Sequence, residues 1–219
     1  MDIFHIAIKY PLQHMTQPIT AIIFDFGNVL VKWDAHNLYK RFLPDPAAVD
    51  SFLEEIRFHE WNALLDAGHP YKEGVAELCE QFPQYSDLIQ AYDTYWEESI
   101  TEPIGESIRI LRSLKKAGWN LYLLSNFSVD KFKLMQNRFD FLGCFDDMII
   151  SGEHKIVKPH PAIFELTLKR IKRKAHECLF IDDSMPNIQS ARKLGFHAIH
   201  FQTPEQLRTD LGIYSITGI

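Results

Sequence analysis

The sequence predicts an α/β fold, in which a doubly wound, Rossmann-like parallel sheet has an all-helical cap domain inserted into it. Three observations predict this fold. Short apolar runs end in small or acidic residues, helical periodicities separate these runs, and a long stretch of different composition follows the first run. Strands that alternate with helices along a chain form a parallel sheet with helices on both faces.

The strands are predicted from apolar runs that are rich in β-branched residues. Three runs are clear, at 20–25, 121–126 and 178–183, and weaker candidates lie at 145–151 and 196–201. Continuous apolar runs of this length, bounded by turn residues, are typical of strands buried on both faces of a parallel sheet.

Helices are predicted between the strands from apolar residues at helical spacing. The pattern occurs at 104–114, at 164–171 after Pro161, and at 188–194, and a further helix-like stretch covers 129–138. In doubly wound sheets, ligands bind at the carboxyl ends of the strands. The polar residues that follow the apolar runs are therefore the candidate site.

A helical cap is predicted from residues 39–101, which are rich in Glu, Leu, Phe, Tyr and Trp and show no strand-like alternation. A connection of this length needs structure of its own. We expect an N-terminal extension at 1–18, a core domain formed by 19–33 and 102–219, and a cap domain at 34–101.

Composition limits the classes of partner. The chain has 219 residues and a formal net charge of −6, which argues against nucleic acid or an anionic membrane as the main partner. No run approaches the ~20 apolar residues of a membrane span, and the first residues do not resemble a signal peptide. We expect a soluble, cytoplasmic protein that acts on a small molecule; no motif indicates its oligomeric state.

Three acidic residues end predicted strands: Asp25 follows one, and Asp182 and Asp183 end another. A buried carboxylate is costly unless it is compensated. Adjacent strands would bring the three together, and their mutual repulsion calls for a cation. Oxygen ligands select a hard ion such as Mg²⁺. The alternative for each residue alone is that it caps the following turn or helix.

A phosphate site is predicted beside these acids. Ser125 and Asn126 end a third strand before a helix-like stretch, where a hydroxyl and free N–H groups can bind a phosphoryl oxygen. Lys158 lies in the loop after the 145–151 strand and offers a compact positive charge. Taken singly, Ser-Asn is also a common helix N-cap, and an isolated lysine is most often solvated.

The order of these residues resembles the haloacid dehalogenase-like (HAD) superfamily. Asp25-Phe-Gly-Asn-Val-Leu is similar to its first motif, Ser125-Asn126 to its second, Lys158-Pro159 to its third, and Asp182-Asp183-x-x-x-Asn187 to its fourth. The resemblance covers residues 19–201 and places the cap between the first two motifs, as in the helical-cap branch. Each motif alone is weak, and the ordered set is specific.

The resemblance implies a magnesium-dependent phosphatase. Asp25 would attack phosphorus and form an aspartyl-phosphate that water then hydrolyses. Mg²⁺ would bind the Asp25 carboxylate, the backbone carbonyl of Gly27 and Asp183, with Asp182 binding directly or through water. Lys158 would neutralise the nucleophile and the phosphate as a further catalytic residue. Together with Ser125 and Asn126, it would hold the transferring group.

One position departs from the family pattern. Most phosphatases of this family have a second Asp, acting as general acid and base, two residues after the nucleophile, and this chain has Gly27 there. The D-x-G-N-V pattern is similar to a subgroup resembling bacterial α-D-glucose-1-phosphate phosphatases. General acid–base catalysis typically contributes 10²–10⁴-fold. Asp34, His36 and His59 are candidates for a donor from the cap, although each also fits a surface or packing position.

Three other functions stay open. A 2-haloacid dehalogenase-type hydrolase shares the fold and the Asp nucleophile, but those enzymes use no metal and do not have the Asp182-Asp183 pair. A phosphomutase would need the acid that is missing at Gly27. A catalytically silent HAD domain used for binding is favoured only by that missing acid, since the other catalytic positions are filled.

Overall fold

The computed structural model describes residues 18–217 and contains a five-stranded sheet, a separate two-stranded sheet and the helices that surround them. The strands are β1 (Ala21–Phe24), β2 (Val31–Trp33), β3 (Ile100–Pro103), β4 (Asn120–Ser125), β5 (Asp147–Ile150), β6 (Cys178–Asp182) and β7 (His197–His200). The α-helices are α1 (Ala35–Tyr39), α2 (Pro46–Glu55), α3 (Phe58–Asp66), α4 (Tyr71–Gln81), α5 (Ser86–Thr94), α6 (Gly105–Lys116), α7 (Val129–Arg138), α8 (Ser151–His154), α9 (Pro161–Ile171), α10 (Met185–Lys193) and α11 (Pro204–Ile213).

The predicted α/β fold is confirmed. The five-stranded sheet is parallel throughout, with the order β5-β4-β1-β6-β7, and every predicted strand contributes to it. All residues of β1 and β6 are buried, as expected for strands covered by helices on both faces. The predicted helices of this region are also present, as α6, α7, α9 and α10.

The order in which the chain adds strands to the sheet changes direction beside β1. It moves from β1 outward through β4 to β5, and then returns to β6 on the other side of β1 before reaching β7. The connections therefore diverge between β1 and β6. Ligands of doubly wound sheets bind in the crevice at such a switch point, outside the carboxyl ends of the strands.

The segment between β2 and β3 is helical, as predicted, and consists of α1 to α5 with short 3₁₀ turns. Aromatic side chains form its interior: the ring centroids of Tyr39 and Phe52 lie 4.9 Å apart, and those of Phe58 and Tyr92 lie 5.0 Å apart. β2 and β3 pair antiparallel at the base of this segment. The division into a core and a cap domain with the predicted boundaries stays our proposal.

The end of α3 packs closely on the segments that follow β4 and β5. Gly68 has φ +86°, and a β-carbon built there would lie 2.5 Å from the carbonyl oxygen of Gly152. The Ser151 hydroxyl donates a hydrogen bond to the backbone oxygen of Asp66 (2.5 Å) and accepts one from the backbone N–H of Phe127 (2.8 Å). These contacts fix the C-terminal end of α3 against the parallel sheet.

Gly68→Ala is expected to destabilise the protein more than Gly118→Ala. Both glycines have nearly the same positive φ, +86° and +87°, but a β-carbon at Gly118 meets no atom within 4 Å. Gly118→Ala therefore measures the backbone strain alone, about 1–2 kcal/mol. Gly68→Ala adds overpacking, for which we expect at least about 1 kcal/mol more in the free energy of unfolding by urea. Equal losses in the free energy of unfolding for the two variants would show that the backbone near Gly152 shifts to accommodate the added β-carbon without destabilising the protein.

The predicted N-terminal extension lies outside the described residues, except for its last position. Among residues 18–217, no helix is long and apolar enough to cross a membrane.

Candidate active site

The predicted catalytic acids meet at the switch point of the sheet. Phe24 of β1 lies opposite Ile181 of β6, so that Asp25 and Asp182 follow at the same level of adjacent strands. The backbone N–H of Asp25 donates to the carbonyl of Ile181 at 2.9 Å, which extends the strand pairing to the site itself. Asp183 comes next along the chain. The parallel register thus places carboxylates from two strands side by side.

Lys158 lies between two of these carboxylates. Its Nζ is 2.8 Å from Oδ1 of Asp25 and 2.7 Å from Oδ2 of Asp182, and it also donates to the backbone oxygen of Leu124 at 2.9 Å. The Lys158 side chain is only 1% exposed. A buried ammonium is tolerated when it is paired and hydrogen-bonded, and here three oxygen atoms accept from it.

Burial and charge act on these groups in opposite directions. Burial, which is the largest cause, and the charge of Asp182 together raise the pKa of Asp25 to about 7, although Lys158 acts to lower it. Burial and the charge of Asp182 raise the pKa of Asp183, and Lys158 lowers it in part. For Lys158, burial favours the neutral amine, but Asp182 and Asp25 outweigh burial and raise its pKa. The lysine therefore stays charged, and the carboxylates need more positive charge to stay ionised.

The Asp182 carboxylate is fully engaged by the protein. Its Oδ1 accepts from the backbone N–H of Ser184 (2.8 Å) and from the Asn187 amide (2.9 Å), while its Oδ2 accepts from Lys158. Asp182 is completely buried. These bonds position Lys158 and leave Asp182 better suited to act on a bound cation through water than to bind it directly.

Two of the predicted phosphate-binding residues end or follow β4, the neighbour of β1, and line the same cavity as Asp25 and Asp183. Ser125 is the last residue of β4 and is buried at the cavity wall. The side chain of Asn126 binds the protein itself, since its Oδ1 accepts from the Lys158 backbone N–H (2.7 Å) and its Nδ2 donates to the Lys158 carbonyl (2.9 Å). The side-chain amide thus holds the lysine loop, and only the backbone N–H of Asn126 is left for phosphate.

The residues present fit a divalent cation. One oxygen from each of Asp25, Asp182 and Asp183 can lie within 4.8 Å of the others, and Gly27 lines the same cavity. Carboxylate and carbonyl oxygens are the ligands that Mg²⁺ prefers, together with water and phosphate. The three carboxylates also outnumber Lys158, the lysine that pairs with two of them, so a cation would balance their charge.

A cavity of about 230 Å³ opens above these groups, and helices α3 to α5 supply its far wall. Four polar side chains of that wall were not predicted from the sequence: Asn62, Asp66, Tyr71 and Tyr92. Asn62 and Asp66 are one helical turn apart on α3, and the Asn62 amide donates to Asp66 Oδ2 at 3.0 Å. This i,i+4 polar pair beside the buried Trp61 and Leu65 is the local pattern that could have indicated that Asn62 and Asp66 share one face of α3.

The donors predicted for the cap lie elsewhere. Asp34 caps α1 by accepting from the backbone N–H of His36 (2.9 Å), and the His36 ring lies between Asp34 and Asp50, 2.8 Å from each. His59 is exposed and packs edge-on against Phe58. None of the three predicted donors lines the cavity as the described residues form it, so they occupy the surface and packing positions instead.

The fold and the site define an α/β protein with an acidic ligand site at the switch point of a parallel sheet. A sequence profile described as a haloacid dehalogenase-like hydrolase matches residues 19–195. The chain therefore belongs to the haloacid dehalogenase-like hydrolase family, as its motifs predicted. It spans between 18% and 36% of the length of the first three curated relatives that it matches.

Two relatives of similar length are phosphatases. The chain is 26% identical to the sesquiterpene phosphatase astK of Aspergillus oryzae, over 93% of this chain and 100% of that protein. It is 23% identical to the D-ribitol-5-phosphate phosphatase of Bacteroides thetaiotaomicron, over 89% of this chain and 98% of the relative. In structure it resembles the HAD family enzyme bt-2542 of that bacterium, crystallised as an Asp12Ala mutant with magnesium and inorganic phosphate. That match has a TM-score of 0.69 at 21% identity and covers 84% of this chain and 95% of the other.

Proposed function

We propose that the protein is a magnesium-dependent phosphatase that hydrolyses a small phosphorylated metabolite, such as a sugar or polyol phosphate, through an aspartyl-phosphate at Asp25. The observation that supports this most is the buried Lys158, which pairs with Asp25 at the base of a cavity that Ser125 and Asp183 also line. Two anions, the nucleophile and the phosphate, can approach each other only where positive charge is provided.

Each residue has a separate role in the proposed reaction. An oxygen of Asp25 attacks phosphorus, and Lys158 neutralises charge on both partners. The Ser125 hydroxyl and the Asn126 backbone N–H hold phosphoryl oxygens in place. A Mg²⁺ ion held by Asp25, Asp183 and the Gly27 carbonyl, with Asp182 acting through water, would supply the remaining charge stabilisation.

The acids at the end of β6 favour a phosphatase over a 2-haloacid dehalogenase. Displacement of a halide from carbon by a carboxylate produces a halide ion and requires no metal. A 2-haloacid dehalogenase would therefore not need three carboxylate ligand atoms within 4.8 Å of one another. A binding domain without activity would not need a buried lysine held in contact with the nucleophile. Hydrolysis of p-nitrophenyl phosphate distinguishes the phosphatase from the other two functions.

The cavity favours a small, hydroxylated substrate. Its volume of about 230 Å³ is below the 300–1,000 Å³ that is typical of ligand pockets. The polar wall of Asn62, Asp66 and Tyr71 can hydrogen-bond to hydroxyl groups, as on a sugar or polyol phosphate. A screen of phosphorylated metabolites that includes prenyl phosphates would test this class. Location in the cytoplasm stays a prediction from the sequence.

Removal of the metal is expected to abolish activity. With purified protein and p-nitrophenyl phosphate, EDTA should reduce turnover to background, and excess Mg²⁺ should restore it. Asp183→Ala should remove Mg²⁺-dependent turnover, because it deletes a metal ligand without altering the contacts of Lys158 with Asp25 and Asp182. Isothermal titration of Mg²⁺ into the native protein and the variant provides a readout that does not depend on turnover.

The matched control is Asp146→Asn, which changes an acid outside the cavity that pairs with Lys115 near the protein surface. This variant should keep both Mg²⁺ binding and turnover. Full activity of the native protein in EDTA would contradict the metal-dependent mechanism. Absence of turnover with every phosphate, despite Mg²⁺ binding, would instead favour the binding domain.

A further inference from the structure

The proposed reaction needs an acid that the nucleophile strand does not provide. Cleavage of an alkyl phosphate releases an alkoxide, which is a poor leaving group until it is protonated. At position 27 the chain has glycine, and a β-carbon built there would meet no atom within 4 Å. The space that a side chain at this position would enter is therefore open to the cavity. A donor must come from another part of the wall.

The geometry of phosphoryl transfer indicates which part of the wall this is. The attacking and leaving oxygens lie roughly in line on opposite sides of phosphorus. Because Asp25 attacks from the strand ends, the leaving oxygen points away from the sheet, towards the wall formed by α3 to α5. Among the side chains that line the cavity from these helices, Asp66 is the carboxyl group.

Hydrogen bonds to both its side chain and its backbone hold Asp66 in position. Its Oδ2 accepts from the Asn62 amide (3.0 Å), and the Tyr92 hydroxyl fixes Asn62 by donating to its Oδ1 (2.9 Å). The Asp66 backbone oxygen accepts from Ser151 of α8. Its carboxyl group also faces the backbone N–H of Ser128, three residues after the Ser125 that ends β4. Contacts within α3, with α5 and with the loop after β4 thus hold this side chain at the wall of the cavity that Asp25 and Ser125 also line.

The surroundings of Asp66 leave a large fraction of it protonated near neutral pH. Burial raises the pKa of Asp66 to about 7, and the Ser128 N–H and the charge of Lys158 offset only part of that effect. The other titratable groups that face it are Tyr71 of α4 and Tyr92 of α5. Burial raises the pKa of both phenols well above the ordinary value, so they are neutral and do not compete for its proton.

We propose that Asp66 is the general acid of the reaction and takes the place of the acidic residue that is missing at position 27. This assignment rests on the proposed phosphatase function. As Asp25 forms its bond to phosphorus, the bond from phosphorus to the ester oxygen breaks, and the Asp66 proton passes to that oxygen. The products of this step are an alcohol, the aspartyl-phosphate and the Asp66 carboxylate. Water then attacks phosphorus, and the bond from phosphorus to the Asp25 oxygen breaks. One proton of the water passes to the Asp66 carboxylate and the other stays on the released inorganic phosphate, so that Asp25 is again a carboxylate and Asp66 is again protonated.

The test compares leaving groups that differ in their need for a proton. Glycerol 1-phosphate and ribitol 5-phosphate release primary alkoxides, whereas p-nitrophenyl phosphate releases an anion that is stable without protonation. In Asp66→Asn we expect kcat/KM for the alkyl phosphates to fall by about 10²–10⁴-fold, with a change under about tenfold for the aryl phosphate. Asp87→Asn, which changes an exposed acid of α5, is the matched control and should alter neither.

The pH profile gives a second readout. Because the protonated acid is the active form, native turnover of alkyl phosphates should decline as pH rises through the pKa of Asp66, and turnover of the aryl phosphate should lack this decline. In Asp66→Asn the two profiles should coincide. Gly27→Asp in the Asp66→Asn background has room for its side chain and should recover alkyl phosphate turnover, which would also show that the variant is folded.

Three outcomes would overturn the assignment. Equal losses on alkyl and aryl phosphates would make Asp66 a positioning or substrate-binding residue. Unchanged alkyl turnover in Asp66→Asn would exclude it from proton transfer. A native protein inactive on every phosphate would overturn the proposed phosphatase function itself, and the assignment of Asp66 with it.

Discussion

Replacing Asp25 with asparagine is expected to reduce phosphatase turnover to background, a loss on the order of 10⁶-fold, as for removal of a covalent nucleophile. The amide keeps the shape of the side chain but has no anionic oxygen to attack phosphorus. Native protein quenched in acid during turnover should contain a phosphorylated peptide that includes Asp25. This peptide should be absent from Asp25→Asn when both samples are analysed by mass spectrometry.

The fold should persist in this variant, because Lys158 keeps its contact with Asp182 and its bond to Leu124. Urea unfolding should therefore give a free energy of unfolding close to the native value. Asp25→Ala serves as a second variant, because asparagine can deamidate slowly to aspartate. Residual turnover shared by both variants would refute the covalent mechanism.

Lys158→Met is expected to reduce kcat/KM by about 10³-fold. Two unit charges 4 Å apart interact by about 4 kcal/mol at the effective dielectric constant near a protein surface, which corresponds to a rate factor of this size. Without the lysine, Asp25 would have to attack a phosphate dianion with no protein cation beside it. Steady-state kinetics with p-nitrophenyl phosphate at saturating Mg²⁺ measures the loss.

The same substitution should lower stability in a pH-dependent way. It leaves Asp182 buried without its cation, which costs about 3–5 kcal/mol at neutral pH. Lys158 lowers the pKa values of Asp25 and Asp183, which burial raises, so its loss moves both further above those of the unfolded chain, and the native state binds more protons. The variant should therefore lose stability as pH rises from the unfolded carboxyl pKa through the folded one.

Lys155→Met is the matched control for Lys158→Met. It makes the same substitution three residues earlier, at an exposed side chain, and should affect neither kinetics nor stability. If kcat/KM of Lys158→Met falls by less than about tenfold, or 1.4 kcal/mol, Lys158 only stabilises its loop and has no role in catalysis.

The strands of the sheet could be predicted from the sequence to the extent that they are buried. β1 and β6 lie inside the sheet and are buried at every position, which produces continuous apolar runs. β5 and β7 are the edge strands, and half of the positions of each are only partly buried. Their polar residues interrupt the apolar run, which is why they were the weaker candidates.

The individual helices of the insertion and the β2–β3 pair were not predicted. The helices are between 5 and 11 residues long, and aromatic residues of different helices pack against one another, as Tyr39 of α1 does against Tyr92 of α5. β2 has three residues and pairs with β3 far along the chain, where Val31 lies opposite Pro103. A pairing of this kind has no local sequence signal.

The residues of the candidate site also differ in whether the local sequence could predict them. Asp25, Ser125 and Asp182 were predicted because each directly ends a buried strand, so its position follows from the local sequence. Asp66 reaches the cavity only because the end of α3 packs on Ser151, 85 positions away in the sequence. Nothing near Asp66 in the sequence encodes that contact.

The placement of Asp66 has a consequence for how the reaction is controlled. The nucleophile ends a strand of the sheet, whereas the proposed acid belongs to the helices that β2 and β3 connect to it. An acid two residues from the nucleophile would be present whatever the position of those helices. Here the acid is at the site only while the end of α3 keeps its packing on Ser151 and Gly152. Cleavage of alkyl phosphates would therefore be sensitive to substitutions in that packing, far from the nucleophile in the sequence.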